Sequence, residues 1–155
     1  MKINNVAVIG AGLMGSGIAA QVANAGFPVT LLDIVPDGAT NRNVIAEGAV
    51  SKMLKPVKLG SPTPLMHRRN AKLITTGNIE DNLDLIKDAD LIIEVVLERL
   101  DVKHDVFRKI EKFRKKGSII TSNTSTIPRE QLVEGMAESF AKDFMITHFF
   151  NPPRY

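Results

Sequence analysis

The sequence contains no cysteine, which excludes disulfides, a thiolate nucleophile and a cysteine-ligated zinc site and fits a reducing compartment. A cytoplasmic location is the resulting expectation. Long hydrophobic runs are missing too: the apolar stretches are of strand length, well short of the roughly 20 residues that an apolar helix needs to span a bilayer. The chain enters its first apolar run at Ile3, which leaves no room for a signal peptide. Internal repeats and low-complexity tracts are absent. With 155 residues, 44% of them hydrophobic, the chain is long enough for one domain with a real core and too short for two large ones, so residues 1–155 are read as one domain.

Strong charge of one sign is also lacking. The net charge is +3, and the basic residues gather in two places, residues 103–116 and 52–58. Neither makes a nucleic-acid patch. In the first, Val102, Val106, Phe107, Ile110 and Phe113 mark an apolar helix face, so the Lys and Arg between them read as its solvated side. In the second, Lys52, Lys55 and Lys58 either attract a polyphosphate, such as the nucleotide part of coenzyme A, or simply solvate a helix end.

What the chain does have begins at Ile3. The apolar run up to Ile9, with Val6, Ala7, Val8 and Ile9 as a buried parallel strand, leads into Gly10-Ala11-Gly12-Leu13-Met14-Gly15. Ile18, Ala19, Val22 and Ala23 then recur at helical spacing up to Gly26. Three spaced glycines alone are weak, but a strand before them and a helix after them give each a physical task. Gly10 makes the tight turn, Gly12 lets the backbone approach a pyrophosphate, and Gly15 permits close packing of helix and strand. The free N–H groups and dipole at the helix start favour phosphate. Asp33 ends the second strand, residues 29–32, where its carboxylate can accept from both ribose hydroxyls and would repel a 2′-phosphate. Ile34, Val35 and Pro36 follow, with no cation to pair such a phosphate. The pattern predicts a dinucleotide site that prefers NAD to NADP.

Strand and helix signals alternate along the rest of the chain, which predicts a Rossmann-like, doubly wound α/β fold with a mostly parallel sheet and helices on both faces. Helices are expected at residues 43–54, 81–87 and 101–115, and from Pro128 to about residue 134. Strands are expected at 72–75, 91–96, 118–121 and 144–147. Residues 60–64 read as a Gly/Pro loop, and Gly77-Asn78 as a turn. Ligands of open parallel sheets sit at the carboxyl ends of the strands, which directs attention to Asp33, Glu98, residues 122–126 and His148. A histidine at a strand end is either structural or a proton-transfer group, since its ordinary pKa lies near working pH. His67 and His104 read as surface residues. The Ser122-Asn123-Thr124-Ser125-Thr126 cluster either hydrogen-bonds a ribose, a carboxamide or a substrate oxygen, or caps and turns the chain before Pro128.

Taken together, Gly10-Ala11-Gly12-Leu13-Met14-Gly15, Asp33, the 90–103 stretch, Ser122-Asn123-Thr124-Ser125 and His148-Phe149-Phe150-Asn151-Pro152 resemble the NAD-binding domain of the 3-hydroxyacyl-CoA dehydrogenases of fatty-acid β-oxidation. The resemblance implies that His148 is the general base that removes the proton of the 3-hydroxyl as hydride passes to NAD, and that Ser125 touches substrate and cofactor. It implies cofactor contacts at Gly10, Gly12, Leu13, Met14, Gly15, Asp33, Val95, Glu98, Lys103 and Asn151. Asn123, Lys52 and Lys55 are weaker candidates for the 3-hydroxyacyl-CoA substrate, because the family's coenzyme A contacts do not align with residues 49–58. In the family, a glutamate that orients the imidazole and an all-helical domain that completes the acyl pocket and the dimer follow the His motif. Both would lie beyond Tyr155, so the sequence is expected to be part of a longer, homodimeric enzyme, in some members fused to an enoyl-CoA hydratase. Two other functions fit the same residues: a dehydrogenase of another small hydroxy acid, and a non-catalytic NAD-binding module.

Overall fold

The computed structural model describes residues 2–56 and 62–154. Lys58 and the Gly60-Ser61 part of the expected loop lie outside them. Six strands form one sheet in the order β3-β2-β1-β4-β5-β6, every neighbouring pair parallel. They are β1 (Val6–Ile9), β2 (Val29–Asp33), β3 (Ile74–Asn78), β4 (Leu91–Glu94), β5 (Ile119–Ser122) and β6 (Phe144–Ile146). The crossovers carry α1 (Leu13–Asn24), α2 (Val44–Met53), α3 (Leu100–Phe113), α4 (Arg129–Leu132) and α5 (Glu138–Asp143). The order reverses beside β1, between the β1-β2-β3 and β4-β5-β6 halves, where open α/β sheets bind their ligands.

Because the strands are buried on both faces, two cores form. Alternate residues of β1 divide between them: Val6 and Val8 pack with Ile18, Ala19, Ala23 and Met53 under α1 and α2. Ala7 and Ile9 pack with Ile86, Val106, Phe107 and Ile110 under α3. The second core is anchored by Phe107, Phe140 and Phe144, whose ring centroids lie 5.3–5.6 Å apart. Arg114 stacks over Phe140 and pairs with Glu111 and Asp143, clamping the end of α3 to α5.

The expected doubly wound architecture is observed, with local corrections. Residues 68–73 wind into a 3-10 helix, so β3 starts later than expected and runs through Gly77-Asn78 rather than stopping before them. Gly77 is required by close approach and not by a turn: a Cβ there would lie 2.9 Å from both Asn82 and Leu32 side chains. The expected helix at residues 81–87 contracts to one 3-10 turn, Leu83–Ile86. Helix α5 was not expected; it is short and enters through Ala137 without a side-chain cap. Phe107→Ala removes the centre of the aromatic cluster, a fully buried side chain, and should lower stability by about 3–5 kcal/mol, read as a shift in urea midpoint at constant slope. A change below about 1 kcal/mol would show that this core does not depend on the cluster.

Candidate active site

The parallel register brings the ends of β1, β2, β4, β5 and β6 to one edge of the sheet. At the switch point, Gly10 adopts φ +109°, and a Cβ on it would fall 2.5 Å from the Val95 carbonyl oxygen. Gly12 then precedes helix α1 as its N-cap, with no side chain to bond the first turn. The first N–H groups of the helix have no partner within it, and a Cβ at Gly12 would meet nothing within 4 Å. This is an open, electropositive start that fits a diphosphate. Leu13 is exposed and Met14 half-buried beside it. Asp33 lies across the same turn, where Oδ2 accepts from the Ala11 N–H and Oδ1 from the Ile34 N–H. A carboxylate has about four acceptor positions, so capacity for ribose hydroxyls remains.

On the other half of the sheet, the β5–α4 loop carries residues 123–126 over Glu98. Glu98 Oε1 accepts from the Thr124 hydroxyl, from the N–H of Ser125 at 3.0 Å and Thr126 at 3.2 Å, and from the Thr126 hydroxyl at 3.1 Å. Burial pushes the Glu98 pKa up, but the Thr124 and Ser125 donors and the Lys103 ammonium outweigh it and hold the carboxyl at about 2. Thr124 Oγ1 also accepts from the Ile127 N–H at 3.1 Å, so the capping and turn role falls to Thr124 and leaves Ser125 free. Ser125 Oγ lies 3.2 Å from Nε2 of His148, just beyond β6, and the exposed Phe150 ring sits edge-on to the imidazole at 5.5 Å between centroids. Asn123 Oδ1 accepts from the Phe149 N–H at 2.8 Å, which ties the two loops together. Asn151 is exposed in the same segment. Pro153 next contacts α1, because Gly17 has no side chain to block it.

One candidate is not where its helix face suggested. Lys103 does not belong to the solvated face of α3: it is only 1% exposed, and its ammonium lies 2.8 Å from Glu94 and 3.2 Å from Glu98. Burying a cation is tolerable only with anionic partners, and Glu94, fully buried at the end of β4, supplies one. The missed signal was Glu94 itself, a carboxylate inside the otherwise apolar 91–96 run, which demands a buried partner. Lys52 and Lys55 are exposed at the last turn of α2 and just after it. Helix α2 starts beside the carboxyl edge, where Asn78 bonds Asn43, and these lysines lie at its other end.

With this geometry in view, the chain matches, over residues 5–155, the family described as the 3-hydroxyacyl-CoA dehydrogenase NAD binding domain. The chain belongs to this family. A probable 3-hydroxyacyl-CoA dehydrogenase of Deinococcus radiodurans is 50% identical over the whole chain, which spans 44% of that protein. A putative fatty acid oxidation complex trifunctional enzyme of Rickettsia felis is 45% identical over 99% of the chain and 21% of its own length. Among solved structures, 3-hydroxybutyryl-CoA dehydrogenase from Escherichia coli superposes with a TM-score of 0.76 at 30% identity, covering 99% of this chain and 31% of that one. The chain therefore spans less than half the length of these relatives. The family's cofactor, NAD, fits the uncapped α1 start and Asp33. Among the described residues no helix is long and apolar enough to cross a membrane.

The depressed Glu98 pKa gives a signed expectation. A carboxylate held below its ordinary value of 4.5 stabilises the fold above that value, and the contribution is lost as pH falls toward about 2. Glu98→Gln should be less stable than the wild type near neutrality, with the difference shrinking between pH 4.5 and 2. Parallel urea titrations across that window check it, and a pH-independent difference would contradict the role of the ionised carboxylate.

Proposed function

We propose that this chain is the cofactor domain of an enzyme that oxidises (S)-3-hydroxyacyl-CoA thioesters to 3-oxoacyl-CoA with NAD, in fatty acid oxidation. The observation that carries the reading is the 3.2 Å contact between Ser125 and His148, made by residues from two loops on the sheet edge that also holds the glycine turn. NAD, when bound, supplies the hydride acceptor. His148 takes the proton of the 3-hydroxyl as that carbon loses hydride, a step suited to a group whose ordinary pKa lies near neutrality. Ser125 Oγ holds the imidazole in place before substrate binds, and with substrate present turns its hydroxyl to the substrate oxygen, which frees the Nε2 lone pair for the 3-hydroxyl proton. Gly12, Leu13 and Met14 receive the diphosphate, Asp33 the adenosine ribose, and Asn151 and Val95 flank the nicotinamide half. Glu98 and Lys103 serve the cofactor indirectly, by holding the loop that carries Ser125. Neither Lys52 nor Lys55 is given a part.

The whole enzyme would add a helical domain that closes the acyl pocket and forms a dimer. Relatives described as fatty acid oxidation complex components support fusion to further activities. The thioester substrate is favoured over another hydroxy acid by the relatives described as 3-hydroxyacyl-CoA and 3-hydroxybutyryl-CoA dehydrogenases.

Two measurements test this. In the full-length protein, acetoacetyl-CoA should be reduced by NADH, and His148→Gln should lower kcat by about 10²- to 10⁴-fold with NADH affinity intact. Full activity in that variant, or equal use of 3-hydroxyisobutyrate, refutes the assignment. In this chain, Gly12→Val should leave the melting temperature unchanged, because its Cβ meets nothing within 4 Å. It should weaken NADH binding by about tenfold or more, roughly 1.4 kcal/mol; unchanged affinity would place the diphosphate elsewhere.

A further inference from the structure

Beneath the exposed Ser125–His148 contact lies a buried ion pair. Lys103, at the first turn of α3, and Glu94, the last residue of β4, are 1% and 0% exposed and meet at 2.8 Å. A buried pair brings little net stability, because the desolvation of two charges offsets their attraction, so its presence at the root of the site points to geometry.

Two arms lead outward from it. In one, Glu94 Oε2 accepts from the Ser122 hydroxyl at 2.6 Å, and Ser122 Oγ accepts from the Thr124 N–H at 3.3 Å. In the other, Lys103 Nζ reaches Glu98 Oε2 at 3.2 Å, and the other oxygen of Glu98 takes the Thr124 hydroxyl and the Ser125 N–H. A further bond from the Val96 N–H to Glu94 Oε1, at 2.7 Å, locks the carboxylate onto the chain leaving β4. Both arms converge on Thr124, and the Glu98 arm also takes the N–H of Ser125, whose hydroxyl meets His148.

We propose that Glu94 and Lys103 are positioning residues, a buried pair that sets the height and orientation of the 124–126 loop and thereby the Ser125 Oγ to His148 Nε2 contact. This rests on the reading of His148 as the proton-transfer group. The contact it explains, however, exists before any ligand binds. The pair bridges β4, α3 and β5, which fixes the loop relative to three elements at once, as an uncharged turn anchored only to its own strand could not.

The test is the ¹⁵N resonance of His148 Nε2 in histidine-labelled chain, followed at about pH 8, above the ordinary histidine pKa. Ser125→Ala sets the position for a ring without the contact. The double variant Glu94→Gln/Lys103→Met removes both charges together, a change that buried pairs commonly tolerate. It should move the Nε2 resonance most of the way to the Ser125→Ala position while circular dichroism and melting stay near wild type. The variant Ser122→Ala/Glu98→Ala keeps the ion pair, removes the acceptors of both arms and should move the resonance likewise; if the first variant does not fold, this one decides. A wild-type Nε2 position in either folded double variant overturns the proposal. An NADH titration of the wild-type chain runs beside it: failure to bind NADH would sink the dehydrogenase reading and leave the histidine comparison to stand or fall by itself.

Discussion

A side-chain carbon on Gly15 would sit 1.8 Å from the carbonyl oxygen of Gly10, and one on Gly10 would sit 2.5 Å from that of Val95. Helix α1, the turn before it and the end of β4 thus touch through backbone alone, and only hydrogen fits where they meet. The rest of the edge depends on this closeness. It sets the start of α1 directly over the gap between the two halves of the sheet, with its unpaired N–H groups facing outward. It also leaves Asp33 near enough to bond the Ala11 N–H, so the carboxylate that would receive a ribose is held by the loop that would receive the phosphates.

Across the gap the chain solves a different problem. The loops after β4, β5 and β6 rest on the cores through Val95, Val96, Ile127 and Phe149, and between those anchors charge and hydrogen bonds fix the polar residues. Glu98 gathers donors from residues 124–126, Lys103 holds Glu98 from below, and Glu94 holds Lys103. The result is a polar wall that carries Ser125 and His148 opposite the glycine turn. One wall is shaped by the absence of side chains and the other by paired ones. Loops held by hydrogen bonds and an ion pair can be set to within a fraction of an ångström, which is the tolerance that proton and hydride transfer require.

Much of this was legible from residue order. The glycine spacing, the apolar run before it and Asp33 locate the switch point, because a strand, a turn and a helix in that order leave few alternatives. The resemblance carried by His148-Phe149-Phe150-Asn151-Pro152 singled out a histidine that its position alone left undecided. Other parts were illegible for physical reasons. Helix α5 is too short to show a period, and its identity comes from Phe140 packing on Phe107 and Phe144, a tertiary fact. Gly77 resembles a turn residue, yet it lies within β3 because Asn82 crowds it. The resemblance singled out Lys103, but its burial was hidden: on a helix rich in exposed lysines and arginines, nothing local separates the one that turns inward. Only the unpaired charge of Glu94 in a buried strand could have asked for it.

On the proposed reading, one dinucleotide spans both walls, from the start of α1 to the Ser125–His148 contact. Titrating ¹⁵N-labelled chain with NADH and following backbone amide and histidine resonances tests it most directly. Gly12, Leu13, Met14 and Asp33 should shift together with Ser125 and His148 along a single saturation curve. Shifts confined to one wall, or centred away from both, would contradict it.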